Sequence, residues 1–226
     1  MPRFWPIVSF LALPTLWLAV SSNAAPAGEA AKTPAQILAG AERAVATASS
    51  VRLVAVGTSG GKPLRLDLEL VAGRGGEGSV TDGGYTFRII RLGTHAYFEA
   101  GAAFWRKFAG SLGPQLFQGR WIEASATSGQ LASFTPLTSM RTFINGALSS
   151  HGKLAVGKTT TIGGRPALRL IDTTQGGSLY LAASGTPYPL EITAKGGGGT
   201  IRFESWNERF STTPPKHPLN FTKQLK

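Results

Sequence analysis

The sequence predicts an α+β fold in which helices cover one face of a large antiparallel sheet. Leucine occupies alternate positions from Leu64 to Leu70, and Arg65, Asp67 and Glu69 stand between the leucines. Side chains along a strand point to opposite faces with period two, so this segment has one apolar and one charged face. That alternation is typical of an antiparallel sheet packed on one side only. The predicted order of helix, strands, helices and strands favours an α+β fold whose helices gather on one face of the sheet.

The first 24 residues have the form of a secretory signal peptide. Arg3 supplies the positive start, residues 4–20 are apolar, and Ser22-Asn23-Ala24 offers small residues for cleavage. We therefore expect an exported protein, either in the periplasm or cell envelope or secreted, with residues 25–33 as a flexible leader. The alternative is that the apolar stretch stays uncleaved as a membrane anchor.

A helix is predicted to begin after Thr33. Thr33 can cap the helix, Pro34 suits its first position, and Gln36 completes a capping box. Apolar residues then recur at helical spacing up to Ala48, and the helix should end near Ser49.

A meander of short strands is predicted next. Paired glycines such as Gly60-Gly61 and Gly83-Gly84 accept positive φ and suit two-residue hairpin turns. The predicted strands are Val51–Val56, Leu64–Leu70, a weak strand over Gly78–Thr81, Tyr85–Leu92 and His95–Glu99.

The middle of the chain is predicted to be helical. Phe104, Phe108, Leu112 and Leu116 lie at four-residue intervals, but the glycines and proline of residues 110–114 weaken this helix and can break it in two. Trp121-Ile122 reads as a short strand. A further helix is predicted from Thr135-Pro136, with an apolar stripe of Leu137, Met140, Phe143, Ile144 and Leu148.

Strands resume in the last third of the chain, separated by glycine turns. They are predicted at Leu154–Val156, Thr159–Ile162, Ala167–Asp172, Ser178–Ala182, Leu190–Lys195 and Thr200–Glu204. An additional edge strand is expected near Phe210, and residues 213–226 form a basic, proline-containing tail.

Composition excludes several kinds of chemistry. The 226 residues include no cysteine, which rules out disulfides, thiolate metal sites and cysteine catalysis. The formal net charge of +11 favours anionic partners such as phospholipid headgroups or acidic wall polymers. The cations are scattered rather than clustered, and for an exported chain we do not expect nucleic acid as a partner.

Two glycine-rich motifs resemble catalytic or nucleotide-binding loops. Residues 57–61 match the G-x-S-x-G pattern of serine hydrolases, and residues 73–78 match G-x-G-x-x-G. Both functions require a helix directly after the motif, whereas strands are predicted here. His95, His151 and His217 are far apart and lack acidic companions at ligand spacing. We therefore predict a protein that is not an enzyme, with no metal and no cofactor.

Several short segments, in order, resemble a known family. They are Ala96–Phe98, Ala103–Trp105, Gly119–Ile122, Thr159–Ala167 leading to Asp172-Thr173, Gly177–Leu181, Pro187–Ile192 and Ile201–Asn207. Together they resemble the LppX/LprG group of actinobacterial lipoproteins and, more remotely, the lipoprotein carrier LolA, over a domain of residues 34–212. The resemblance implies a half-open antiparallel barrel that holds helices and acylated molecules in its concave face. This chain lacks the lipidated cysteine of that group, so tethering by lipid is not implied.

The hypothesis that follows is an exported, non-catalytic lipid carrier. Its partners would be an acylated lipid or lipoprotein acyl chains and, transiently, the membrane surface, and we expect a monomer. Arg88 and Arg91 are candidate headgroup contacts, and residues 110–114 a candidate lid. The alternative is a module that binds an envelope protein, or a sensor, whose core is filled and which takes no lipid. The predicted cavity lining is Leu64, Leu66, Leu68, Leu70, Phe87, Ile89, Phe104, Phe108, Leu112, Leu137, Phe143 and Ile144.

Overall fold

A computed structural model describes residues 32–127 and 129–220. The predicted signal peptide, most of the predicted leader and residues 221–226 lie outside the described residues. Within them, the helices are α1 (Pro34–Thr47), α2 (Ala102–Ala109), α3 (Gly113–Phe117) and α4 (Met140–Ser149), with 3₁₀ segments at Gln130–Thr138 and Lys195–Gly197.

The capping box predicted for α1 is confirmed. The Thr33 hydroxyl accepts a hydrogen bond from the Gln36 backbone N–H at 3.3 Å, and the Gln36 side chain accepts one from the Thr33 N–H at 2.9 Å. The two bonds satisfy backbone donors that have no partner inside the helix.

The described residues contain strands in the predicted places and one more at the C-terminal end. They are β1 (Ser50–Ser59), β2 (Lys62–Val71), β3 (Gly75–Asp82), β4 (Tyr85–Leu92), β5 (His95–Ala100), β6 (Ile122–Ser125), β7 (Leu154–Val156), β8 (Thr160–Ile162), β9 (Arg165–Asp172), β10 (Ser178–Ala182), β11 (Pro189–Thr193), β12 (Gly199–Glu204) and β13 (Leu219–Asn220).

These strands form one large, curved sheet that does not close into a barrel. The order across it is β13-β6-β5-β4-β3-β2-β1-β12-β11-β10-β9-β7, and β8 pairs with β9 outside that path. All pairings are antiparallel except β13 with β6. The predicted α+β class, with helices on the concave face of a half-open sheet, is confirmed.

The alternation in β2 sets the orientation of the sheet. Leu66, Leu68 and Leu70 are buried, while Arg65 is exposed and Asp67 half-buried on the other face. Antiparallel pairing places Leu53 opposite Leu68, so leucines of neighbouring strands share the inner face. One face of the sheet therefore packs under the helices, and the other carries the charges.

The helix expected at Thr135-Pro136 starts later, and that prediction is wrong. Thr135 lies within the 3₁₀ segment and donates its hydroxyl to the carbonyls of Ala126 and Ala132, at 2.9 and 2.8 Å. Because its side chain bonds carbonyls rather than the N–H groups of a following turn, it does not cap a helix. Helix α4 follows Ser139 instead.

The edge strand expected near Phe210 is also wrong. The C-terminal strand is β13, where the Leu219 N–H donates to the Trp121 carbonyl at 2.8 Å. Pro214, Pro215 and Pro218 precede it and have no N–H to contribute to a ladder.

Both glycine motifs are hairpin elements. Residues 57–61 end β1 and turn into β2, and residues 73–78 turn into β3. Gly75 has φ 128°, and a Cβ there would collide with the backbone carbonyl of Arg91 on β4. Residues 73–78 thus form part of a hairpin, as predicted, and Gly75 additionally allows β4 to approach closely.

Replacing Gly75 by alanine should lower the free energy of unfolding by about 1–3 kcal/mol, because the backbone must leave its conformation or crowd β4. Urea unfolding followed by circular dichroism measures the loss. The matched control is Gly146→Ala in α4, where a Cβ meets nothing within 4 Å. That variant should be neutral or more stable by up to about 1 kcal/mol. Equal stability of Gly75→Ala and the natural chain would contradict this account.

Asp172 organises the turn after β9. Its carboxylate accepts backbone N–H bonds from Gly152 at 2.7 Å and from Thr174 and Gln175, each at 2.8 Å. These bonds favour the charged form and hold the pKa of Asp172 below its ordinary value of 3.8.

The lowered pKa has a consequence for stability against pH. A carboxyl whose pKa is lower in the folded state stabilises the fold at neutral pH, and this contribution is lost as the pH falls through the folded pKa. Asp172→Asn should therefore melt at a lower temperature than the natural chain at neutral pH. The two melting curves should converge as the carboxylate is protonated. A difference in melting temperature that stays constant down to strongly acid pH would contradict this role.

Candidate functional site

The concave face of the sheet is the candidate site. Its apolar side chains and those of the helices form one continuous buried cluster. Among the described residues, the largest side chains less than 2 % exposed include Trp105, Phe98 and Phe104. In this arrangement the helices themselves fill the concavity.

The structure brings most of the predicted lining residues together. Those buried in the cluster are Leu66, Leu68, Leu70, Phe87 and Ile89 from the sheet, and Phe104 and Ile144 from the helices. Those half-buried against it are Leu64, Phe108, Leu137 and Phe143.

Leu112 is placed differently from the other predicted lining residues. Its side chain is 65 % exposed and sits just before α3. Gly110, at φ 77°, ends α2, so the four-residue interval that begins at Phe104 does not continue along one straight helix. Leu112 therefore faces solvent rather than the concave face.

Aromatic rings form the centre of the contact between the helices and the sheet. The Phe87 ring on β4 lies 5.0 Å from that of Phe104 on α2 and 4.8 Å from that of Phe134, between centroids. Phe104 also lies 4.5 Å from Phe108 and 5.1 Å from Trp105. Aromatic pairs at such distances add about 0.5–1.5 kcal/mol each beyond area burial.

Burial increases along the inner face from one end of the sheet. On β2, Leu64 is half-buried, Leu66 is 6 % exposed and Leu68 is fully buried. On β4, Tyr85 is half-buried, and Phe87 is only 2 % exposed. Leu64 and Tyr85 both lie beside the turns that join β1 to β2 and β3 to β4, which meet at the same end of an antiparallel meander.

We call this end of the concave face the mouth, and define it by Leu64, Tyr85, Phe108 and Phe134. All four are largely apolar side chains, half-buried against the core. Tyr85 and Phe108 meet edge to face at 6.4 Å, and Phe108 meets Phe134 at 5.3 Å. An open depression of about 390 Å³ lies where β4 and β5 meet the chain after α3, and its lining includes Arg88 and Glu99 of the outer face.

Helices α2 and α3 cover the aromatic cluster, and we refer to them as the cover. Neither has a side-chain hydrogen bond at its N-cap, in contrast to the complete capping box of α1. Gly110 joins the two without the restraint of a Cβ. Uncapped short helices are among the first elements to open locally.

The cover also holds an unpaired donor. Trp105 on α2 is 1 % exposed, and its indole Nε1–H has no hydrogen-bond partner among the described residues. A buried donor without a partner costs about 1–3 kcal/mol relative to a satisfied one.

Phe134 is a central residue that sequence reasoning missed. It lies within 4.8–6.2 Å of Phe87, Phe98, Phe104 and Phe108, ring centroid to ring centroid. Its neighbours in sequence are mostly small and polar, and a 3₁₀ segment has no apolar period long enough to be recognised. The only available signal was a single phenylalanine in a polar stretch.

The outer face carries ion pairs instead of apolar contacts. Arg52 donates to both carboxylate oxygens of Asp67, at 2.9 and 2.8 Å, and this bond lowers the pKa of Asp67. Arg88 pairs with Glu99 at 2.9 Å and lies 5.0 Å from the centroid of the Trp121 ring. Arg88 therefore belongs to the charged face, away from the concave cluster.

Within residues 32–127 and 129–220, no cluster of three or more histidine, cysteine, aspartate or glutamate side chains could hold a metal ion. His95 Nδ1 lies 2.7 Å from a Glu123 oxygen, and His151 Nδ1 lies 2.7 Å from the Gly152 carbonyl oxygen. In the same part of the chain, we find no helix with the length and apolarity needed to span a bilayer.

Comparison with known proteins identifies the fold. No family model matches the chain, and no curated protein matches it. Among solved structures, it is similar to LprF from Mycobacterium bovis, with a TM-score of 0.53 and 11% identity over 80% of this chain and 95% of that one. This likeness shows a shared fold.

Two further structures are similar at lower scores. The lipoprotein LppX from Mycobacterium tuberculosis has a TM-score of 0.47 and 14% identity over 80% of this chain and 100% of that one. A LolA superfamily protein from Nitrosomonas europaea has a TM-score of 0.29 and 11% identity over 80% and 96%.

Proposed function

We propose that this protein is an exported, non-catalytic lipid carrier that holds acyl chains between the concave face of its sheet and its helices. The observation that supports the proposal is the continuous apolar inner face, which is half-buried at the mouth. The LprF-like fold supports it, because an open, curved sheet with one apolar face can receive a long apolar ligand.

In this proposal the cover moves when lipid binds. Acyl chains pass the mouth residues and replace the contacts that α2 makes with Phe87 and Phe134. Burying apolar surface contributes about 25 cal/mol per Å², so a diacyl lipid can be held without specific polar chemistry. The absence of N-terminal side-chain caps on α2 and α3 lowers the cost of moving them.

Trp105 supplies a polar contact for such a ligand. Its unpaired Nε1–H lies within an apolar cluster, where an ester carbonyl oxygen of an acyl lipid would accept its hydrogen bond. An acylated ligand would thereby satisfy a donor that the closed arrangement leaves without a partner. The lining assigned from the sequence, apart from Leu112, remains part of this proposal.

Native mass spectrometry of protein purified without detergent, followed by organic extraction and lipid identification, tests the proposal. A bound species of lipid mass is expected. Protein that carries no lipid, and takes up none on incubation with envelope lipids, would overturn it.

One observation favours a second function. Helix residues Phe104, Trp105, Met140 and Ile144 already pack to 2 % exposure or less in the concavity. A module that binds an envelope protein partner would use such a filled core as it stands. The same extraction distinguishes the two functions, because this module would remain free of lipid while retaining its fold.

A further inference from the structure

The solvent-facing side of the cover has an unusual composition. Leu112 and Leu116 are 65 % and 52 % exposed. The Leu116 N–H donates to the Leu112 carbonyl at 3.3 Å, so the two side chains lie one helical turn apart on the same side. The other large apolar side chains exposed among the described residues are Val56 and Val156, on strands of the sheet.

Cations accompany the two leucines. Residues 101–121 contain Arg106, Lys107 and Arg120 and no aspartate or glutamate. All three side chains are exposed, and none forms an ion pair with another residue in the part of the chain that the structure describes. On the outer face of the sheet, Arg52, Arg88 and Arg202 are each paired with an acid, whereas the exposed Arg65 is not.

Adjacent cations and exposed leucines on a short helical segment match the chemistry of a membrane interface. The leucines can enter the boundary between headgroups and acyl chains, and the cations can lie among anionic headgroups. Such a position also removes from water an apolar pair that is otherwise left exposed.

We propose that α2 and α3 form a docking surface for anionic phospholipid membranes, made of Leu112, Leu116, Arg106, Lys107 and Arg120. Phe108 of α2 is itself a mouth residue, and its ring lies 6.4 Å from that of Tyr85. Docking through this surface therefore places the mouth next to the bilayer. The biological role of this docking rests on the proposed lipid-carrier function. The binding itself does not, because membrane binding can be measured whether or not the concavity holds lipid.

The test is co-sedimentation of the full chain with two kinds of vesicle, one of phosphatidylcholine and one of phosphatidylcholine with phosphatidylglycerol. Binding is expected to the anionic vesicles and should weaken as salt rises. Every variant retains residues 1–31, so any contribution of that segment is common to all of them.

Two variants separate charge from apolar insertion. The triple variant Arg106→Gln, Lys107→Gln, Arg120→Gln should reduce partitioning to anionic vesicles on the order of a hundredfold. The double variant Leu112→Ser, Leu116→Ser should reduce it roughly tenfold. Circular dichroism confirms that each variant is folded.

The matched control is Lys153→Gln, Lys158→Gln, Arg165→Gln, which removes the same charge from exposed positions near β7, β8 and β9. It should bind almost as well as the natural chain. Equal losses in both triple variants would show an effect of net charge alone and overturn the proposal. So would unchanged binding in the Arg106, Lys107 and Arg120 variant, or equal binding to both kinds of vesicle.

Lipid extraction from the same preparations separates this inference from the proposed function. Because its three cations face solvent, the docking triple variant should keep any lipid bound in the concavity. Membrane binding by a protein that never yields lipid would contradict the carrier proposal and leave the docking surface standing. Lipid-loaded protein that does not bind anionic vesicles would contradict the docking surface and leave the carrier proposal standing.

Discussion

Leu68→Arg is expected to unfold the domain or lower its free energy of unfolding by more than about 4 kcal/mol. Leu68 is fully buried in the middle of β2, opposite Leu53 and Gly78 on the inner face. The acids beside it in sequence, Asp67 and Glu69, point to the outer face and cannot neutralise an arginine placed inside. A loss of this size is a large part of the roughly 5–15 kcal/mol that stabilises a typical domain.

Urea unfolding followed by circular dichroism measures this loss, and Val54→Arg is the control. Val54 is half-buried on the outer face of β1, where its neighbours across the sheet are Asp67 and Arg202. Its replacement should change stability by less than about 1 kcal/mol. If Leu68→Arg folds as stably as this control, the inner face is not packed beneath the helices as described. Leu68→Ala, with an expected loss of about 2–5 kcal/mol, provides a measurable intermediate.

The elements that could be predicted from sequence are those with local causes. The capping box at Thr33, the alternation in β2 and the glycine pairs at the hairpins each act within a few residues. A local signal of this kind is visible in one sequence, because its physical reason needs no distant partner. The fold class follows from the order of such elements.

The features that could not be predicted depend on distant partners. Pairing of β1 with β12 places Arg52 opposite Glu204, and β13 reaches β6 from the far end of the chain. A two-residue strand such as Leu219–Asn220 carries no sequence pattern that indicates which strand it pairs with. Leu112 illustrates the same limit for the site, since the break at Gly110 determines which way its side chain faces.

Strand β2 also offers a test of the mouth that leaves the core intact. Leu64 lies on the same face as Leu68 but is only half-buried. An aspartate there keeps its hydration without entering the packed cluster, so Leu64→Asp should remain folded. An acyl chain passing that position must desolvate the carboxylate, which opposes loading. We expect the lipid content of the purified variant to fall at least about tenfold, the equivalent of about 1.4 kcal/mol.

The control for Leu64→Asp is Val56→Asp. Val56 is 48 % exposed, lies at the same end of the sheet and faces outward beside Arg65. It adds the same charge on the face that no acyl chain crosses, so lipid content should match that of the natural chain. Equal lipid content in both variants would place the route to the concavity elsewhere. A fall in the Leu64 variant alone would assign loading to the mouth, because the added charge and the position along the sheet are then matched.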